Sequence, residues 1–140
     1  MDKKIIKECF QKIITEGLGL SLCNTHLHDT PERLAKMYVQ DFFRSLDKPE
    51  PKITVFLNKE GVDQMILLDH IPFTSLCSHH FLPFMGVAHF LYIPDKYIIG
   101  ASKVNRLIEH HSGFPQVQEN LAQEIVDKFV EIVKPRGRIS

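Results

Sequence analysis

The sequence predicts an α+β fold, and three observations carry that prediction. Apolar residues at helical spacing occupy both ends of the 140-residue chain. Mostly apolar runs of strand length occupy the middle. Two of those runs flank a loop crowded with metal-ligating side chains, Thr74-Ser75-Leu76-Cys77-Ser78-His79-His80-Phe81-Leu82-Pro83. The length suits one domain with a substantial core. We divide it into an N-terminal helical region, residues 1–45, and a main domain, residues 46–140.

Composition excludes several functional classes. Hydrophobic residues make up 44% and charged residues 24%, the balance of an ordinary soluble protein. Lys plus Arg number 17 and Asp plus Glu 17, so no overall field draws the chain to a nucleic-acid polymer or a membrane surface, and any anion site is local. Apolar runs are too short to span a bilayer, and Met1-Asp2-Lys3-Lys4 opens no signal peptide. Cys9, Cys23 and Cys77 do not form a paired disulfide framework. The expectation is a cytoplasmic protein with reduced thiols.

In order, Ile5, Ile6, Cys9, Phe10, Ile13 and Ile14 predict an amphipathic helix over residues 3–15, stopped by Gly17 and Gly19. Thr30 as N-cap and Pro31 at the first helical position start a second helix, with Leu34, Met37, Tyr38 and Phe42 on its apolar face. Lys48-Pro49-Glu50-Pro51 is a stiff linker. Residues 53–57 predict a short strand, and residues 65–71 a mostly apolar strand covered on both faces. A loop of about a dozen residues, with a turn at Met85-Gly86, leads to a strand over residues 87–93. Ser102 predicts the N-cap of a third helix, with Val104, Leu107 and Ile108 inward. Gly113-Phe114-Pro115 breaks it, and a fourth helix runs over residues 116–133 with Val117, Leu121, Ile125, Phe129 and Ile132 on one face.

Three places carry chemistry. Cys77 and the adjacent His79 and His80 offer a thiolate and two imidazoles, donors that zinc prefers. Adjacent residues of an extended loop point to opposite sides, so Cys77 and His80 can share a metal while His79 faces a substrate. A polar loop with an ordinary thiol fits the same residues. Lys103 and Arg106, three apart at a helix start, pair with first-turn N–H groups as a polyphosphate or carboxylate site; a solvated basic pair is the alternative. Gln118 and Glu119 open the fourth helix. A carboxylate beside an amide matches the N1–H and N2–H edge of guanine, although the helix dipole alone accounts for Glu119. His26 and His28 read as loop polarity before a helix.

Together the motifs resemble those of GTP cyclohydrolase I. They are His28-Asp29-Thr30-Pro31-Glu32-Arg33-Leu34-Ala35-Lys36-Met37-Tyr38, Cys77-Ser78-His79-His80-Phe81, Gly100-Ala101-Ser102-Lys103-Val104-Asn105-Arg106 and Pro115-Gln116-Val117-Gln118-Glu119, matching in order and spacing across nearly the whole chain. The resemblance implies the tunnelling fold, an antiparallel sheet with helices on one face. It also implies a homo-oligomer, usually a decamer of stacked pentamers with active sites at subunit interfaces. The implied reaction converts GTP and water to formate and 7,8-dihydroneopterin triphosphate, the entry to tetrahydrofolate and pterin synthesis. Cys77 and His80 match two of three protein ligands of a catalytic Zn2+, and His79 matches a proton donor or acceptor. Ser102, Lys103 and Arg106 match the triphosphate-binding residues, and Gln118 and Glu119 the guanine-recognition pair.

The sequence departs from that pattern twice. Ser78 stands where the family usually has Glu, removing a negative charge beside the loop. The family pattern also continues past the fourth helix into a second strand pair that carries another histidine, the third zinc ligand (a cysteine) and further basic residues. Here Lys134-Pro135-Arg136-Gly137-Arg138-Ile139-Ser140 occupies the start of that pair. On this reading the main domain is C-terminally incomplete and the zinc lacks a third ligand from this chain. Two functions follow as expectations: a zinc-dependent GTP cyclohydrolase, or a catalytically incompetent homologue that binds nucleotide or pterin, or modulates a full-length partner.

Overall fold

A computed structural model describes residues 1–139. Helix α1 (Lys3–Lys12) is capped by Asp2, whose Oδ1 accepts from the amides of Lys4 at 2.9 Å and Ile5 at 3.2 Å. It widens into a π-type turn, Ile13–Gly17, closed by the Leu18 amide on the Ile13 carbonyl at 2.9 Å. Of the six apolar residues predicted to share a face, Ile14 is buried and Ile6 and Phe10 are half-buried, while Ile5, Cys9 and Ile13 are exposed. The stripe is thus narrower than predicted, because α1 meets chiefly α2 (Thr30–Met37), with the Phe10 ring tilted against Tyr38 at the end of that helix, centroids 5.2 Å apart. Thr30 is the first residue of α2 rather than its cap; Asp29 holds that position without a side-chain capping bond.

The main sheet has strand order β5-β2-β3-β6. Its centre is the antiparallel hairpin of β2 (Ile66–Cys77) and β3 (Pro83–Ile93), both longer than the sequence predicts. The connection is therefore only residues 78–82, and Met85-Gly86 lies in β3 rather than in a turn. Packing explains the extension. Phe73 and Phe84 lie against the core, Ser75 is fully buried, and Gly86 lets the Phe73 ring approach β3, since a Cβ at Gly86 would sit 3.0 Å from it. A separate two-stranded sheet pairs β1 (Val55–Leu57) with β4 (Tyr97–Ile99), a strand absent from the sequence prediction.

Helices α3 (Ala101–His111) and α4 (Gln118–Val133) cover one face of the hairpin. Val104, Leu107 and Ile108 of α3 join Leu121, Ile125, Val126, Phe129 and Val133 of α4 over Ile71, Phe90 and Tyr92. Phe129 is the centre, with ring centroids 4.5 Å from Phe90 and 4.9 Å from Tyr92. The expectation that β2 is covered on both faces fails. Leu67, Met85 and Val87 on the opposite face are about half or more exposed, because both helices pack on the same side. Gly100 rather than Ser102 caps α3. Pro115–Gln116, expected to lead directly into a helix, forms β5, parallel to β2 at Leu76 and Cys77. Lys134 ends α4 in the left-handed region at φ 50°, and β6 (Gly137–Ile139) returns to pair with residues 91–93 of β3. Among the described residues, no helix is long and apolar enough to cross a membrane.

Candidate active site

The tip of the β2–β3 hairpin is a tight turn. The Phe81 amide donates to the Cys77 carbonyl and the Cys77 amide to the Leu82 carbonyl, each at 2.8 Å. Beside it, the Ser78 amide donates to the Gln116 carbonyl of β5 at 3.0 Å. From the N-terminal region, the Tyr38 hydroxyl donates to the Phe81 carbonyl at 3.0 Å, and Phe43 meets the Phe81 ring edge-on at 5.8 Å. These contacts hold Phe81 at φ 52°, a left-handed conformation that costs a non-glycine residue about 1–2 kcal/mol.

Within this turn, Cys77 Sγ lies 3.8 Å from Nδ1 of His79 and 3.8 Å from Nδ1 of His80. The expected division, with His79 turned away, is not what the turn produces. Residues 78–80 are not extended, so the alternation of successive side chains does not apply, and both rings flank the sulfur with centroids 6.2 Å apart. The thiol is drawn below its ordinary pKa, first by the backbone N–H of His79, then by its imidazole, then by the backbone N–H of His80. A half-exposed thiol biased toward thiolate, beside two exposed imidazoles, fits the sulfur and nitrogen donor set of zinc.

The other predicted residues divide between the two ends of the fold. Gln118 and Glu119 open α4 two residues beyond the β5 strand that pairs with Cys77, so they lie at the loop end and are exposed. Gln118 lines a cleft of about 190 Å³ with Phe73, Val87, Phe90 and Leu121. Ser102, Lys103 and Arg106 lie in the first half of α3, which follows β4 at the opposite end of the hairpin. The C-terminal end of α3 is tied to β2 near the loop: Arg44 donates to Ser112 Oγ at 2.7 Å, to the Glu109 carbonyl at 3.1 Å and to the Thr74 carbonyl at 3.4 Å. At 1.5 Å per residue, Ser102 is about 15 Å farther along the helix axis than Ser112. Within one copy the Gln118–Glu119 pair thus follows the strand that pairs with Cys77, Ser102 and Lys103 begin the far end of α3, and Arg106 lies between, lining a pocket with Arg44 and Glu109.

Three positioning residues have no local signal in the sequence. Gln116 combines its carbonyl bond to Ser78 with side-chain bonds from Nε2 to the His111 carbonyl at 3.1 Å and to Glu124 Oε2 at 2.9 Å. Tyr38 and Arg44 act over chain separations of 43 and 30 residues.

Helices on one face of an antiparallel hairpin, with a thiol and two imidazoles at its tip, define an α+β protein whose hairpin turn carries candidate metal donors. The chain belongs to the GTP cyclohydrolase I family, whose family model matches residues 6–139. Similar proteins named GTP cyclohydrolase 1 include that of Aeromonas hydrophila, 47% identical over 120 residues that cover 85% of this chain and 55% of the relative. That of Aeromonas salmonicida is 46% identical over 125 residues, 89% and 57% of the two chains. That of Haemophilus ducreyi is 43% identical over 122 residues, 86% and 56%. The chain thus spans a little over half the length of the curated relatives it matches.

Proposed function

We propose that the chain contributes the zinc loop and the nucleotide-binding helices of a GTP cyclohydrolase that converts GTP and water to formate and 7,8-dihydroneopterin triphosphate. The observation that supports this most is the hairpin tip, where the Cys77 thiol has an imidazole nitrogen of His79 and one of His80 each 3.8 Å away, near the helix start bearing Gln118 and Glu119. Cys77 and His80 would hold the zinc. When bound, that ion supplies Lewis acidity and lowers the pKa of water toward neutrality. His79 is the proton carrier, whose proton on the purine imidazole ring would make C8 more electrophilic. Glu119 and Gln118 take the guanine edge, a carboxylate and an amide facing two N–H donors. Ser102, Lys103, Arg106 and the free amides of α3 hold the triphosphate, which fixes the purine against His79.

Because Ser102 and Lys103 lie at the start of α3 while its other end is the one tied to β2 through Arg44, the reading includes a homo-oligomer in which α3 of one copy serves the loop of another. Formate release from GTP by the zinc-supplemented chain tests it. Cys77→Ser is expected to abolish turnover and to remove the ion held by the loop, and unchanged zinc content in that variant would rule out the loop as the site. One observation favours a second reading. Among the described residues, Cys77 and His80 are joined by no third converging donor as a group of three. Saturable GTP binding without turnover, in a folded and zinc-loaded sample, would identify a nucleotide-binding homologue that acts on a partner.

A further inference from the structure

A different group of three donors does converge. Asp69, His70 and His89 each present a ligand atom, and these atoms lie within 4.8 Å of one another. Asp69 Oδ2 is 2.7 Å from His70 Nδ1, Asp69 Oδ1 is hydrogen-bonded to His89 Nδ1, and the imidazoles meet edge to face with centroids 5.3 Å apart.

A break in the hairpin ladder builds this arrangement. Leu68 pairs with Phe90 and Ile71 with Ala88, so Asp69 and His70 together oppose the single residue His89. In a regular strand, successive side chains leave on opposite faces and one of the pair would enter the core. With the extra residue, Leu68 and Ile71 both pack toward the helices. Asp69 and His70 are left together on the open face, beside His89 of the neighbouring strand. His70 takes φ 55° there, a left-handed conformation unusual outside glycine. A bulge of this kind re-aims side chains and interrupts pairing. Here it aims two neighbours at one point and leaves the strands untied.

We propose that Asp69, His70 and His89 form a second divalent-metal site, separate from the Cys77 loop, that takes a zinc-class ion and clamps β2 to β3 across the bulge. Two imidazoles and one carboxylate are borderline donors suited to Zn2+ or Co2+; Mg2+ and Ca2+ favour oxygen shells. Three protein donors leave positions for water, and the exposed side chains give an ion direct access. One donor from β3 and two from β2 make the ion a cross-strand tie where the pairing register shifts. The site does not depend on GTP turnover.

The test is Co2+ and Zn2+ titration of the metal-stripped full chain carrying Cys77→Ser and His80→Ala, which removes the loop donors. This variant is expected to bind one Co2+ per chain, with the weak visible absorption of nitrogen and oxygen ligation and no thiolate charge-transfer band. Adding His89→Ala should weaken binding by no less than the roughly tenfold that loss of a supporting ligand contact costs. Zn2+ should raise the melting temperature before that addition and not after it. If the double variant fails to fold, the parent chain serves: its stoichiometry should fall from two ions to one with His89→Ala, and likewise with His70→Ala. Absence of binding in a folded double variant, or binding that survives both His70→Ala and His89→Ala, would overturn the proposal.

Discussion

Cys77 is where the chemistry of the individual residue is plainest. The His79 and His80 amides and the His79 ring stabilise its thiolate, so its pKa falls below that of a free cysteine. For a group that is anionic when deprotonated, a lowered pKa means that the reactive form persists to lower pH. Alkylation of Cys77 in the metal-free chain, followed by peptide mass spectrometry, should therefore reach half its maximal rate below the pH at which a cysteine peptide does. Zinc should suppress it. The types and spacing of Cys77, His79 and His80 were legible in the sequence because all three donors fall within four residues. Their orientations were not, since those depend on a turn held by Gln116 and Tyr38 from distant parts of the chain.

At the scale of elements, the helices were legible from their apolar period, and their caps less so. Thr30 and Ser102 have capping chemistry but fall inside their helices. Strand lengths were missed for a related reason: Phe73, Ser75 and Phe84 reveal their burial only against the packed helices. Gly113 shows how tightly those elements are joined. Its carbonyl accepts from the Ser45 amide at 3.0 Å, and a Cβ there would collide with Ser45 Oγ and Cβ. Gly113→Ala should lower stability by about 1–3 kcal/mol, the usual cost of overpacking, as measured by urea denaturation. A midpoint within error of the parent would mean that Ser45 moves aside freely.

For the whole molecule, the separation of Lys103 and Arg106 from the hairpin tip has a consequence if neighbouring copies share sites as proposed. Cys77→Ser and Lys103→Ala variants, each inactive alone, should recover turnover when unfolded and refolded together. Random pairing of an intact loop with an intact helix gives up to about a quarter of the parent activity. No recovery in co-assembled material would place all the groups within one copy. The separation could not be seen along the chain, where Cys77 and Lys103 are close. It follows from topology: β3 and β4 lead away from the tip, and α3 only then turns back.

The grip of Tyr38 and Phe43 on Phe81 also sets a clock. Phe81 is kept in its left-handed conformation by contacts from the N-terminal region, so the lifetime of any ion at the tip depends on how often that region lets go. Tyr38→Phe removes one hydrogen bond, worth about 1 kcal/mol, or about fivefold in rate. Zinc transfer from that variant to a chromophoric chelator should be faster by about that factor. Its melting temperature should fall by no more than about 3–5 °C, the shift that 1 kcal/mol produces in a domain of this size, because the core around Phe129 is untouched.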